Sequence, residues 1–281
     1  MHRVAAEELE RALRDLHGPK RPGAIHRARK GLKKLRAVLR LVRSSVEPAI
    51  FARENAAFRD LGRRLSVVRD ADLLVEVVKE LRPERAPAAA FDRVVARSLQ
   101  HRRSVHREFF EQGRALADLR QSLSEGRSRL RDWIGSDITS RTILKGLERS
   151  YRRAGDSFEA ARRSENDERW HEWRKRSKDV WYHLRLIEGA WPPVFGAVVT
   201  RCGDLADRLG DDHDLVVIGH RLAELAPGAE AGRELSRLRA LITRRREKLQ
   251  AEARDTGRRL FDEKPRAFRR RVGACWREWR R

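Results

Sequence analysis

The sequence predicts an all-α protein, on three observations. Gly and Pro are sparse, at 18 and 9 of 281 residues, while Ala, Leu, Arg and Glu, all good helix formers apart from any packing, outnumber the β-branched residues. Apolar residues recur at helical spacing along almost the whole chain. No segment alternates strictly in the manner of a strand, and no Asn-Gly or Asp-Gly pair marks a tight hairpin.

The elements follow in order. The opening MHRVAAEELERALRDL is an amphipathic helix that carries acids and lacks the apolar core of a secretory leader. HGPKRPG (17–23) ends it, and AIHRARKGLKKLRAVLRLV (24–42) forms a second helix up to SSVEP (44–48). A third runs to RPERAP (82–87), and an unbroken helical stretch then continues to WIGSD (133–137). Later breaks fall at RRSEND (162–167), AWPP (190–193), APG (226–228) and DEKP (262–265). Each groups residues that a helix interior tolerates poorly. The segments between are mostly about 16 to 35 residues, long for globular helices, and such lengths imply bundles. GAWPPVFGAVV (189–199), the least polar stretch, is too short and too Pro-interrupted to span a bilayer. With no metal-ligand spacing around Cys202 and Cys275, the expectation is a soluble cytoplasmic protein that does not insert into membranes.

Charge narrows the partner. Lys and Arg total 65 against 42 Asp and Glu, a formal charge of +23. That imbalance exceeds what solubility needs and predicts a polyanionic partner. Hydrophobic residues make up 40%, so the chain is not a disordered basic tail. Residues 24–42 concentrate the charge: a histidine, seven other basic side chains and no acid. On a helical wheel His26, Arg29, Lys30, Lys33, Arg36 and Arg40 fall within an arc of roughly 120°. Ala28, Leu32, Leu35, Leu39 and Val42 lie opposite and face a core. A merely solvated face usually mixes signs at i,i+4. This one does not, and an arc of like charges makes sense with an anion against it.

The pattern recurs. HRARKGLKKLRAVLRL begins at His26 and HEWRKRSKDVWYHLRL at His171, an offset of 145 residues, with matches at His171, Arg174, Lys175, Lys178, Leu184, Arg185 and Leu186. RRLSVVRDADLL places Arg69-Asp70 where DRLGDDHDLVVI places His213-Asp214, at an offset of 144. Two matches in the same order at the same spacing read as a duplicated helical unit, 1–135 and 136–281, with a boundary near Gly135.

A doubled H-x-x-R-K-x-x-K, each copy followed by an RD or HD segment, resembles the CHAD family, the conserved histidine α-helical domain. The likeness extends over nearly the whole chain as a single domain, including RSYRRA (149–154 region) and GRRLFDEKPRAFRRRV (257–272). The resemblance implies two four-helix bundles related by a pseudo-twofold, with basic faces lining a central channel for inorganic polyphosphate, in bacterial proteins found at polyphosphate granules. Some relatives are fused to triphosphate-processing domains, which this sequence lacks. Carried over, the family's ligands match His26, Arg29, Lys30, Lys33 and Arg36 in the first copy and His171, Arg174, Lys175, Lys178 and Arg185 in the second, with Arg40 aligned to Arg185. The copies diverge at Trp181, which stands where the first has Arg36, and at Asp179, opposite Lys34.

Polyphosphate carries about one charge per internal phosphate, so it asks for a track of cations more than for one pocket. Arg supplies a planar fork and Lys a point charge. Arg149, Arg152 and Arg153 are further candidate ligands, and His101 and His106 candidate extensions of the track. Asp70 and Asp214 are expected to pair with an Arg on a neighbouring helix, and the Trp residues to pack in the core, with Trp181 projecting from the basic face. No G-x-x-x-x-G-K-[ST] loop occurs, and DDHD (211–214) is unsupported as a metal site in the other half. The reading is therefore a binding module with no catalytic residues, metal or cofactor. The alternative is a protein that binds RNA or DNA backbones, whose phosphates attract the same cations; the scarcity of aromatics on the basic faces favours a base-free polymer.

Overall fold

The computed structural model describes the chain except residues 18–22, 82–87, 113, 134–137, 165, 226–231 and 280–281, together with the side chains of 88–91, 112, 190, 222–225, 232–235 and 279. The described residues contain helices and no strand. In order these are α1 (His2–His17), α2 (Ala24–Leu41), α3 (Pro48–Glu80), α4 (Ala88–Arg107), α5 (Ala115–Ser128), α6 (Leu130–Trp133), α7 (Ser140–Arg162), α8 (Asp167–Ile187), α9 (Pro192–Leu225), α10 (Gly232–Leu260) and α11 (Pro265–Trp279).

Local chemistry sets their starts. Pro48 opens α3 at a position where its missing N–H costs nothing. The Thr139 hydroxyl accepts from the Thr142 amide to cap α7, and the Asn166 side chain accepts from Glu168 to cap α8. The unbroken helix expected over 88–132 is corrected. It ends at Arg107, passes through a π turn at Glu108–Gln112, and resumes as α5 and α6. Phe109 is buried there and Phe110 stacks edge-on with it at 5.0 Å, so packing of the two rings favours a re-aimed helix over a straight one.

Neighbours in the chain are neighbours in space: α1 packs on α2, α2 on α3 and α3 on α4, while α5 returns to α1. The second half runs in parallel, with α7 on α8, α8 on α9, α9 on α10, and α11 returning to α7. Among the described residues each half thus has a fifth long helix folded back on its first, one more than the four expected. Leu9, Leu32, Leu35, Leu39, Phe58 and Trp133 centre one core. Leu147, Val180, Leu184, Phe195 and Phe268 centre another, which also takes in Leu41 from α2. The halves meet where α2 touches α7 and α8, and where α3 touches α9. There Leu74 and Val78 share a cluster with Leu215 and Ile218.

Both cysteines are buried and unpaired, and burial pushes the Cys202 thiol up to about 12. Trp133, Trp170 and Trp173 are fully buried. No helix among the described residues is long and apolar enough to cross a membrane.

Candidate anion-binding site

The site is built where α2 meets α8. His183 fastens the helices together. Its Nε2 lies 2.8 Å from the Ala37 carbonyl and its Nδ1 2.9 Å from the Ser150 hydroxyl. A carbonyl only accepts, so Nε2 carries the proton, and the one Ser150 hydroxyl proton is shared between Nδ1 and the Leu147 carbonyl, each 2.9 Å away. Full burial holds this imidazole down to about 4, as a neutral tie between α2, α7 and α8. Gly146 does the same work for α7: an added Cβ would stand 2.1 Å from the Leu41 carbonyl oxygen, so only glycine allows the approach.

On the side toward α3 and α9, the crossing gathers Arg29 and Lys33 from α2 with Arg174 and Lys178 from α8. Lys33 is pushed down to about 7, first by burial and then by the charges of Arg174, Lys178 and Arg29. Lys178, against Gly210 of α9, is pushed down to about 8 by burial and then by Arg174. Arg29 lies 3.7 Å from Asp70 of α3, the cross-helix pairing expected of that acid. Asp214 of α9 contributes its charge to Arg174, Arg29 and Lys33. The Arg174 Nε is buried without a hydrogen-bond partner. Cations desolvated beside one another cost free energy that a bound anion would return.

The two histidines flank this cluster. His26 is held below its ordinary value by burial and by Arg69, then by Lys33. His171 lies 3.2 Å, Nδ1 to Nδ1, from His213, and is held down by burial and by Arg174. Burial and Arg174 push His213 down to about 3. Each histidine therefore faces the residue that the sequence offset pairs with the other: Arg69 in one half, His213 in the other.

The remaining predicted residues divide. Lys30 and Lys175 are exposed at the rim, the latter 2.5 Å from Glu172. Arg185 is exposed and lies over the Trp181 ring, 5.2 Å from its centroid. Trp181 does not project freely: it packs on the second core and against Gly203. Arg152 is exposed and donates to Glu148, 2.8 Å away, and does not line the arginine pocket. Arg36, Arg40, Arg149 and Arg153 come together on the opposite side of the crossing, around a pocket of about 240 Å³. Arg43, Asn55 and Arg176, which sequence reasoning missed, complete its polar wall. Arg43 follows the end of α2 and Arg176 falls off the cationic arc of α8, so no single-helix pattern marks them.

His106 lies 2.9 Å from Asp72 and lines a pocket of about 920 Å³ with His26, Arg69 and Arg102, whereas His101 does not line it. Of the 211–214 segment, Asp212 is buried and accepts from Arg246 (3.0 Å) and Gln250 (3.1 Å). No group of three or more His, Cys, Asp or Glu among the described residues could hold a metal.

Comparison with known proteins agrees with the fold. A family model described as the CHAD domain matches residues 3–223, which leaves the 257–272 likeness outside the match. The crystal structure of the CHAD domain from the plant Ricinus communis superposes with a TM-score of 0.58 at 20% identity, covering 92% of this chain and 88% of that one. Among curated proteins, none matches the sequence.

Proposed function

We propose, from the premise that the chain belongs to the CHAD domain family, that it binds inorganic polyphosphate on the cationic faces of α2 and α8. One observation carries the reading: Arg29, Lys33, Arg174 and Lys178 are brought together, desolvated and mutually repelling, where the two helices cross. Such an arrangement is unfavourable by itself and favourable against a polymer of closely spaced negative charge.

The walls arise by internal duplication and enclose a channel. Supporting this are the 145-residue offset, the parallel order of helix neighbours in the two halves, and the matched pairs His26 with Arg69 and His171 with His213. The protein acts as a binding module in the cytoplasm at polyphosphate granules, with granule proteins as further partners, and performs no catalysis.

The test is competition between long-chain polyphosphate and single-stranded RNA of equal charge for the purified protein. Polyphosphate is expected to displace RNA, with log K falling steeply and linearly against log salt. Tighter binding of RNA would instead establish a nucleic-acid-backbone protein, and a flat salt dependence would remove the counterion-release mechanism altogether.

A further inference from the structure

The 240 Å³ pocket on the far side of the crossing has a composition unlike the track. Six guanidinium groups line it, from Arg36, Arg40, Arg43, Arg149, Arg153 and Arg176, with Asp179 as the one carboxylate in its wall. That carboxylate is already engaged: Arg40 donates to Asp179 Oδ1 at 2.6 Å, and Arg176 to Oδ2 at 3.5 Å. Asn55 accepts from Arg36 Nε at 3.1 Å, and the Arg40 carbonyl accepts from Arg149 at 2.9 Å. Arg43 stacks over the Phe51 ring, 4.8 Å from its centroid. Arg176 is held by carboxylates on all three nitrogens, its Nε also donating to Glu172 at 2.6 Å, so the donors open to a guest come from Arg36, Arg43, Arg149 and Arg153. The Arg40 Nε is buried with no hydrogen-bond partner.

We propose that this pocket is a seat for a doubly charged phosphate group, either the terminal phosphate of a chain or free pyrophosphate. Its volume is that of roughly eight waters, room for one or two phosphate tetrahedra and not for a long run of polymer. Each fork grips two oxygens. Several forks around one small pocket offer more donors and charge than an internal phosphate, with two free oxygens and one charge, can use. That favours the three oxygens and second charge of a terminal group. The groups repel one another meanwhile. Burial and Arg40 push Arg36 down to about 10, and burial, Arg43 and Arg153 lower Arg149.

Among the described residues the arginine cluster is not repeated at the matching positions of the other half. At the equivalent register of the other half, Trp181 stands for Arg36 and Lys34 for Asp179, and Lys34 is paired with Glu8 at 2.6 Å. A duplicated track with one unduplicated arginine seat gives a bound chain an end. The inference deepens the polyphosphate reading, and rests on it only for the polymer's terminus.

The experiment uses calorimetric titration of the full chain with pyrophosphate, linear polyphosphate, and polyphosphate esterified at both ends. The variants are Arg43→Ala with Arg153→Ala, and the charge-conserving Arg43→Lys with Arg153→Lys; melting curves check that both fold. Pyrophosphate is expected to bind wild type and to lose about 100-fold in the alanine pair, since each charged hydrogen-bond donor is worth about tenfold or more. The lysine pair is expected to recover only part of that loss, and esterified ends to weaken the polymer. Absent pyrophosphate binding, equal affinity in the alanine pair, or full rescue by lysine overturns the seat. Esterified polymer binding as tightly as the open chain overturns its use by termini while leaving polyphosphate binding intact. Pyrophosphate binding that depends on the pair, with no binding of either polymer, supports the seat and removes the polymer reading.

Discussion

At the scale of one residue, Lys33 sets the proposed binding role against stability. Its ammonium is held near 7 when an ordinary lysine titrates near 10.5. The unfolded chain therefore binds more protons than the folded one between those values, and stability from this group rises with pH across that window, being lowest below pH 7. Lys178 acts in the same direction from about 8 upward. Lys33→Met removes a buried charge from beside Arg174 and Lys178. It is expected to raise unfolding free energy by on the order of 2 kcal/mol near neutral pH, read from urea unfolding, while weakening polyphosphate binding. A bound polyanion favours the charged form of both lysines. Titration at pH 8 in buffers of different ionisation enthalpy should therefore show net proton uptake, and affinity should fall as pH rises from 7 to 9. Proton release on binding would contradict the placement of these ammoniums against the ligand.

His183 works the other way round in function and the same way in sign. Held at about 4 in the folded protein against 6.5 unfolded, it contributes stability that is fully present above 6.5 and lost as pH falls toward 4. The shift corresponds to roughly 3 kcal/mol over that window. His183→Gln should flatten the acid limb of the stability profile, and an unaltered limb would mean that other groups carry it. Nothing in HLRL (183–186) distinguishes this histidine from a surface one. Its partners, Ala37 and Ser150, lie 146 and 33 residues away.

Single elements explain what was legible and what was not. The wheel of α2 placed its apolar stripe correctly, because Ala28, Leu32, Leu35 and Leu39 are each at most 1% exposed. Periodicity reports which face is buried, and that needs only the helix itself. It does not report which neighbour covers the polar face, so Arg36 and Arg40 could not be separated from Arg29 and Lys33 by sequence. The separation depends on α7, seated against α2 through Gly146, which brings Arg149 and Arg153 to one side of the crossing. Gly146→Ala forces a methyl group into the Leu41 carbonyl and must displace α7. An expected loss of about 3 kcal/mol or more, with weakened pyrophosphate binding, follows from overpacking at a backbone contact. Wild-type stability in that variant would show that α7 can shift freely.

The whole molecule tests whether one ligand is gripped by both halves. Charge reversal in α2 (Lys30→Glu with Lys33→Glu) and in α8 (Lys175→Glu with Lys178→Glu) places acids on the two walls, away from the apolar stripes. A polymer held between walls needs both, so either pair alone should remove most of the affinity, at least about 100-fold at moderate salt. Arg27 is an unsuitable control although it lies off the central arc, because it donates to Asp15 at 2.8 Å and its reversal would set two acids together. Arg244→Glu, exposed on α10, changes net charge without touching either wall. Calorimetric titration of the three variants decides the point. Losses from Arg244→Glu equal to those of the paired variants would mean that +23 alone attracts the polymer. A loss confined to one pair would mean a single cationic face, with the second serving only to hold the fold. Both pairs failing together, with the control intact, is the signature of a ligand enclosed where α2 crosses α8.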